Sequence, residues 1–486
     1  MSELSQLKPQ PLWDIFAKIC SIPHPSHHEE ALASHIIQWA KDQGLHVERD
    51  QTGNLLIRKP ATAGYENRKP VVLQAHLDMV PQKNNETEHD FTKDPIRPYI
   101  NGDWVTADGT TLGADNGVGM ASALAVLADN SVEHGPLEVL LTMTEETGMD
   151  GAFGLQPNWL QAEILINTDS EEEGEIYMGC AGGVDFTANF ALTREAIPAD
   201  YQTFTLTLKG LKGGHSGGDV HLGLGNANKL LARFLAGHQD DLALKLLEFK
   251  GGTLRNAIPR ESHAIIAVPS HKVAELSALR TRYEDILKNE LAAVEPNLIL
   301  VLEETTTQLK AINADCQSRF LFFLNAAPNG VIRMSDVAKG VVETSLNEGV
   351  VEMTEDNASV IFLIRSLIDS GKNYVVNMLT SLSKLAGAEF KAEGSYPGWQ
   401  PDANSPVMHL VRDTYKDLFG KVPNIMVIHA GLECGLFKKP YPEMDMVSIG
   451  PTIRGAHSPD ERVHIESVGQ YWTLLTAILK AIPVKN

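Results

Sequence analysis

Apolar residues along the chain fall into two textures. Up to about residue 184, and again after Tyr396-Pro397-Gly398-Trp399-Gln400-Pro401, they come in short continuous runs at 70–75, 137–143, 162–166, 425–428 and 446–449. Runs that are apolar at successive positions predict strands buried on both faces, as in a parallel sheet covered by helices. A helical pattern over 116–128 lies between the first two runs, where a parallel crossover needs one. Ser26 followed by Glu29 has the spacing of a capping box ahead of a helical pattern at 31–39. Between these parts the texture changes. Thr203-Phe204-Thr205-Leu206-Thr207-Leu208 alternates, as in a sheet with one solvated face. A weak internal repeat also runs through this stretch: residues 256–259, a strand near 264–268, a helix near 272–291 and a strand at 298–302 are answered by 345–347, 360–365, 374–385 and 389–392. The expected fold is α/β, with a mostly parallel sheet covered by helices in residues 1–184 and 397–486. An inserted α+β lid domain, residues 185–396, interrupts it.

Composition narrows the class. The 486 residues, 43% hydrophobic and 21% charged, have ordinary globular balance and predict two or three domains at about 150 residues each. Lys and Arg number 41 against 62 Asp and Glu, a formal charge of −21, which disfavours nucleic-acid binding because phosphate contacts need clustered bases. Cys20, Cys180, Cys316 and Cys434 lie far apart with no C-x-x-C pair, against both a disulfide framework and a thiolate zinc site. The stretch Met1-Ser2-Glu3-Leu4-Ser5-Gln6 lacks the basic and apolar regions of a signal peptide, and no apolar run approaches the roughly 18 residues of a spanning helix. The expected location is the cytoplasm, away from membranes.

The chemistry-bearing residues stand out by position. His76-Leu77-Asp78, Glu145-Glu146, Asp169 and His457 each follow a buried run, and Asp115, in Gly113-Ala114-Asp115-Asn116-Gly117, sits where a loop enters a helix. In an open α/β sheet the carboxyl ends of the strands form the crevice where ligands bind. Singly, each of these residues reads as a helix cap or a solvated loop residue, as does the acidic run Glu171-Glu172-Glu173-Gly174-Glu175. Together, five such placements at one edge would cost several kcal/mol in repulsion and desolvation without a cation. Neutral imidazole with carboxylates suits zinc, cobalt or manganese, and the lack of thiolates excludes a closed structural zinc site. The segment His27-His28-Glu29-Glu30 with His35 lacks H-E-x-x-H spacing, and capping accounts for it better.

The motifs Leu73-Gln74-Ala75-His76-Leu77-Asp78-Met79-Val80, Gly113-Ala114-Asp115-Asn116-Gly117, Thr144-Glu145-Glu146-Thr147-Gly148 and Asn167-Thr168-Asp169, with a late His457, resemble those of the co-catalytic zinc exopeptidases that include carboxypeptidase G and aminoacylases. Their order, the insertion after Asp169 and a likeness over nearly the full length agree. The resemblance implies two divalent ions per subunit, Zn2+ first, with Co2+ or Mn2+ as the other choices. It implies that Asp115 bridges them, that His76 and Asp169 complete one site and Glu146 and His457 the other, and that Glu145 is the general base. Asp78, at strand-period spacing from His76, would orient that imidazole. Many members carry a second acid after the bridging aspartate; Asn116 stands there in this chain, which leaves the bridging role intact. Two such ions about 3.5–4 Å apart lower the pKa of the water they hold towards about 7, and a glutamate base adds typically ~10²–10⁴-fold. In Gly213-Gly214-His215-Ser216-Gly217-Gly218, the resemblance implies that His215 donates to the oxyanion of the tetrahedral intermediate. Arg365, closing Phe362-Leu363-Ile364-Arg365, could fork onto the substrate's terminal carboxylate, with Asn256 assisting. The implied activity is hydrolysis of unblocked dipeptides with broad specificity, Xaa-His included. The implied state is a homodimer joined through the lid domain, whose only other partner is a small peptide.

Other readings stay open on the residues alone. Arg365 also fits a surface ion pair, and His215 a turn histidine. Gly214-His215-Ser216-Gly217-Gly218 satisfies G-x-S-x-G, the nucleophile elbow of serine hydrolases. That elbow demands a strand, a sharp turn and an immediate helix, whereas the next helical pattern begins near Asn226. An N-acyl amino acid deacylase or a carboxypeptidase would use the same dimetal site. Glu433, in Gly431-Leu432-Glu433-Cys434-Gly435, is a candidate to bind the free amine that tells these substrates apart. A metal-binding scaffold without catalysis would leave Glu145 without a purpose.

Overall fold

The computed structural model describes residues 3–84 and 86–485, so Met1 and Ser2 of the N-terminal stretch lie outside the described residues. The chain divides into two compact units. One comprises the residues up to Cys180, Trp399–Val427 and those from Leu432 on; the other comprises Ala181–Gly398 and Ile428–Gly431. Against the expected borders at 184 and 397, the changes of unit thus fall at Cys180/Ala181 and Gly398/Trp399, and the short segment Ile428–Gly431 goes with the second unit.

In the first unit eight strands form one sheet, in the order His46–Arg49, Leu55–Lys59, Leu137–Thr142, Val71–His76, Ile164–Asn167, Asp445–Ser448, Glu175–Cys180, Asn424–Ile428. The four middle strands are parallel, and the flanks so far as their pairing is resolved are antiparallel. Every residue of Leu137–Thr142, Val71–His76 and Ile164–Asn167 is buried, whereas His46–Arg49 has both ends exposed. The continuous apolar runs therefore mark the parallel centre, where helices cover both faces, and the half-polar flanks run antiparallel. Helix Ala114–Ala128 is built almost wholly of Ala, Gly, Val, Leu, Met and Ser after its first turn and is buried from Asn116 to Leu127. Trp13, Phe16 and Tyr471, none more than 1% exposed, join the same core, and each large apolar side chain so buried contributes about 1.5–3 kcal/mol. Parallel strands carry their carboxyl ends to one edge. The segments beginning at His76, Thr142, Asn167 and Ser448 all leave the sheet there.

The second unit holds a nine-stranded antiparallel sheet in the order Ile299–Glu304, Tyr201–Lys209, Ser262–Pro269, Lys245–Gly251, Val342–Met353, Asn357–Ser366, Gly182–Ala191, Glu389–Tyr396, with Gly330–Met334 also paired to Val342–Met353. Phe204, Leu206 and Leu208 alternate inward along Tyr201–Lys209, as the period-2 pattern predicts. The unit is a duplication. Tyr201–Lys209, helix Ala227–His238, Lys245–Gly251, Ser262–Pro269, helix Val273–Glu290 and Ile299–Glu304 make one strand–helix–strand–strand–helix–strand set. Gly182–Ala191, helix Ala314–Ala326, Val342–Met353, Asn357–Ser366, helix Asp369–Ala386 and Glu389–Tyr396 make the other, in mirrored sheet order. The two sets meet where Gly251 pairs with Val351. The repeat visible in the sequence is the later half of each set, because the first set is threaded into the second after its opening strand. Among the described residues no helix is long and apolar enough to cross a membrane.

Candidate active site

The first unit gathers His76, Asp78, Asp115, Glu145, Glu146, Asp169 and His457 at the carboxyl edge of its parallel strands. The two oxygens of Asp115 face opposite ways. Oδ1 lies 3.3 Å from His76 Nε2, and Oδ2 lies 3.2 Å from His457 Nε2. Each histidine then meets one further acid: Asp169 Oδ1 is 3.3 Å from His76 Nε2, and Glu146 Oε2 is 3.0 Å from His457 Nε2. His76 Nδ1 donates to the Asp78 carbonyl at 3.0 Å, with Asp78 Oδ1 at 3.3 Å, so Nε2 is the nitrogen directed at the acids. Gly113 permits the approach of this loop to the helix, since it caps Ala114–Ala128 at φ 72, in the left-handed region that favours glycine.

The electrostatics are those of too many acids for two imidazoles. Burial raises Glu145, Glu146 and Asp169, and the neighbouring carboxylates raise them further, Asp169 to about 7. Burial pulls the His76 imidazole down, but the charge of Asp169 and the surrounding carboxylates outweigh it and hold it well above its usual value. Hydrogen bonds to Asp115 and Glu146 push His457 up to about 11. Glu146 Oε1 is buried without a hydrogen-bond partner and buried Asp169 Oδ1 has only the long contact to His76, and ligand atoms of His76, Asp115 and Glu146 lie within 4.8 Å of one another. Protons bind here because the acids need positive charge, and a divalent cation satisfies the same oxygens and nitrogens. This donor set of imidazole and carboxylate fits divalent metal ions. Among the described residues no hydrogen bond or ion pair engages the Glu145 carboxylate.

Residues that the sequence reading assigned elsewhere hold this arrangement. Ser26 and Glu29 do not form a capping box: helix Glu30–Asp42 has no side-chain cap. Instead the Ser26 hydroxyl donates to Asp78 Oδ2 at 2.7 Å, and Glu29 Oε1 receives both the backbone N–H and the hydroxyl of Thr144 at 3.0 and 2.9 Å. Local spacing proposed a cap; a buried acceptor, Asp78, takes Ser26 and the buried donors of Thr144 take Glu29 instead. Asp78 also receives the N–H groups of Glu145 and Glu146 at 2.9 and 3.1 Å. Burial alone would raise Asp78, but His76 and these donors hold it down at about 2. Glu461, which the sequence reading passed over, is 2% exposed and receives four consecutive N–H groups, Leu112 to Asp115, at 2.8–3.1 Å. Asn116, the departure from the acid expected there, is buried and donates to the Thr168 carbonyl at 2.8 Å, tying the Asp115 loop to that of Asp169. No sequence signal marks Glu461, since its acceptor role depends on a loop some 350 positions earlier.

Glu433, the candidate for the substrate's free amine, lies beside the acids of the site, close enough for its charge to act on Glu145, and its Oε1 is buried without a hydrogen-bond partner. It is 0% exposed and receives Gln74 Nε2 at 2.5 Å and the Thr142 hydroxyl at 2.7 Å, beneath the strand ends. Burial lifts it to about 8.

The second unit carries His215, Asn256 and Arg365. Gly214–His215 pairs with Ala257–Ile258, which sets His215 opposite Ala257 and Asn256 at the end of the same short ladder, where its carbonyl receives the Ser216 N–H at 2.8 Å. His215 Nδ1 receives the N–H groups of Gly217 and Gly218 at 3.3 and 2.9 Å, which leaves the ring proton on Nε2. Ser216 is 1% exposed and its Oγ has no hydrogen-bond partner, and a three-residue 3-10 turn, Val220–Leu222, follows where the elbow requires a helix. The serine-hydrolase reading lacks its nucleophile–base pair. Arg365 is 6% exposed, so it is no surface ion pair. It donates to Tyr396 Oη at 3.3 Å, its Nε is buried without a partner, and among the described residues no carboxylate pairs with it. Gly217 is required beside it, since a Cβ there would stand 2.0 Å from the His429 carbonyl and 3.1 Å from Arg365. His429, also unmarked in the sequence, bonds the Ser345 hydroxyl at 2.7 Å; burial, with Arg365 and His215 close by, takes it down to about 3.

The chain is similar to known proteins over its length. Residues 72–481 match the peptidase family M20/M25/M40. The chain is 75% identical over 485 residues to the cytosol non-specific dipeptidase of Escherichia coli K12, covering 100% of both. It is similar to the crystal structure of aminoacylhistidine dipeptidase from Vibrio alginolyticus at 60% identity and TM-score 0.91, covering 100% of this chain and 99% of that one. It shares its fold with aminopeptidase PepT from Bacillus cereus, at 17% identity and TM-score 0.58, over 98% and 99% of the two chains. With two histidines shared between the oxygens of one aspartate, an unengaged glutamate beside them and a family match over most of its length, this chain belongs to the peptidase family M20/M25/M40.

Proposed function

We propose that the protein hydrolyses unblocked dipeptides, Xaa-His among them, as a dinuclear zinc peptidase. The observation that carries this reading is the double facing of Asp115, one oxygen to His76 with Asp169 and the other to His457 with Glu146. His76, Asp169 and Asp115 would hold one ion and His457, Glu146 and Asp115 the other, with zinc first and cobalt or manganese able to replace it. When bound, the ions supply a polarised scissile carbonyl and an acidified water. Glu145 takes the proton from the attacking water and returns it to the leaving amine. Its unengaged carboxylate, raised by burial, is suited to holding that proton between the two steps. Asp78 fixes the His76 tautomer and the turn that bears both glutamates. His215 donates from Nε2 to the oxyanion, a role its tautomer supports. Arg365, buried with no carboxylate of its own, receives the terminal carboxylate of the substrate with Asn256 at its side. The enzyme works in the cytoplasm, and dimerises through the second unit, whose edge strand Glu389–Tyr396 is exposed for seven of its eight residues.

The test is hydrolysis of dipeptides, Xaa-His included, before chelation, after it, and after return of zinc or cobalt, with Glu145→Ala alongside. Activity lost on chelation and restored by metal, with Glu145→Ala loaded but inactive, is the expected result. Turnover that survives chelation, or cleavage of N-acyl amino acids only, would overturn the reading.

A further inference from the structure

The turn that presents Glu145 and Glu146 is built on an unusual residue. Thr144, between the end of Leu137–Thr142 and the helical turn Glu145–Gly148, has φ 54 and ψ 47, a left-handed conformation that a β-branched side chain rarely adopts. Such a residue persists only where its surroundings over-determine it. Here the surroundings are two carboxylates. Three successive N–H groups, from Thr144, Glu145 and Glu146, are each received by a carboxylate oxygen, a use of turn backbone to bind negative charge. Asp78 receives those of Glu145 and Glu146. Glu29, 1% exposed and 115 positions upstream of Thr144, receives that of Thr144 and takes the Thr144 hydroxyl on the same oxygen. Its own backbone is anchored, since the Glu29 carbonyl receives the Ala33 N–H at 2.9 Å in the first turn of Glu30–Asp42. The segment before it lies along Asp78–Met79, with Pro25 bridged to Met79 and the Met79 N–H donated to the His24 carbonyl at 3.2 Å.

We propose that Glu29 is a positioning residue for catalysis, holding Thr144 in its left-handed conformation so that Glu145 stands free as base while Glu146 turns to His457. The proposal rests on the reading of Glu145 as general base. Thr144 immediately precedes Glu145, so any relaxation of its φ rotates the base before it disturbs the rest of the sheet. Of the five ligands only Glu146 is carried by this turn, and it is also held by Asp78 and His457; His76, Asp115, Asp169 and His457 are carried by other segments, so metal binding should outlast the loss of the brace.

The test compares Glu29→Ala, Glu29→Gln, Glu29→Ala combined with Thr144→Gly, and Glu145→Gln. The readouts are metal per chain by atomic emission, thermal melting, and kcat and KM on a dipeptide. Glu29→Ala is expected to bind the parental amount of metal with KM within threefold and kcat lower by roughly 10- to 100-fold, the scale of a misplaced catalytic group. Glu29→Gln keeps an oxygen able to take both donations and should retain at least a third of the parental kcat. Adding Thr144→Gly to Glu29→Ala should recover kcat at least threefold, because glycine adopts positive φ without the brace. A Glu29→Ala protein with more than half the parental kcat would overturn the proposal. So would a Glu29→Gln protein as slow as Glu29→Ala, or a loss of kcat matched by a loss of metal. An active Glu145→Gln would sink the base reading and this proposal with it, whereas an inactive Glu145→Gln beside a fully active Glu29→Ala would refute the brace alone.

Discussion

The loop that carries Asp115 depends on one distant side chain, and replacing it has a calculable cost. Glu461 Oε2 receives Leu112 N–H and Gly113 N–H at 2.8 and 3.0 Å, and Oε1 receives Ala114 N–H and Asp115 N–H at 2.8 and 3.1 Å. Glu461→Gln keeps the shape and one oxygen. Two of the four N–H groups keep an acceptor, while the other two face an amide NH2 with nothing to donate to. A buried donor so orphaned costs about 1–3 kcal/mol, giving roughly 2–6 kcal/mol for the pair. Burial, with Asp115 adding to it, already holds the Glu461 carboxyl up at about 7. Removing its charge offsets part of the loss, so the lower end of the range, about 2–3 kcal/mol, is expected. That corresponds to a fall of roughly 4–10 °C in the melting of the first unit. The N–H groups that shift include that of Asp115 itself, so metal affinity should weaken about 10–100-fold, the usual scale for a lost support behind a ligand. The assay is competition for zinc against a chromophoric chelator, paired with melting curves of chelated and zinc-loaded protein. An affinity within twofold of the parent, with unchanged melting, would refute the claim that Glu461 holds the bridging ligand in place.

Acid residues raised by burial make a pH prediction with a definite sign. In the metal-free chain Asp169 and Glu461 stand at about 7, Glu433 at about 8 and His457 at about 11, all above their unfolded values. Between pH 6.5 and 8 the folded chain therefore holds protons that the unfolded chain has released, and stability falls as pH rises. His429, lowered to about 3, acts in the opposite sense, but its effect fades within about one unit above the unfolded value of 6.5 and does not reverse the sum. Chelated protein should melt lower at pH 8 than at pH 6.5, and zinc affinity should grow over the same interval; a chelated protein that melts higher at pH 8 contradicts the assignment. His215→Asn should lower kcat by about 10²–10³-fold with metal content and KM little changed, as expected for a lost oxyanion donor, and steady-state kinetics with metal analysis decides it. Arg365→Met should raise KM for free dipeptides by tenfold or more yet leave C-terminally amidated dipeptides unaffected; Arg365→Lys should not restore it, because the fork is lost.

The sequence by itself determined the positions of the candidate acids and histidines more than the side chains that support them. Continuous apolar runs against alternating ones separated the parallel centre of the first unit from the antiparallel sheet of the second, because burial on two faces or one is written directly in the side-chain period. Acids and histidines at the ends of those runs were legible for the same reason: once the strands are parallel, their carboxyl ends share an edge. The antiparallel flanks were not legible, since short half-polar strands such as His46–Arg49 carry no signal of direction. Nor was the pairing of supports to ligands. Ser26 and Glu29 had the local spacing of a cap, and only the folded chain, by bringing Asp78 and Thr144 against them, offered buried donors and acceptors that outcompete a solvent-exposed helix end. Glu461 and His429 are single polar residues without pattern, and their roles exist only where Leu112–Asp115 or Ser345 and Arg365 stand beside them. Periodicity reports which face a residue occupies; which partner satisfies it there is decided by contacts between segments 52 to 349 positions apart, and that only the tertiary structure supplies.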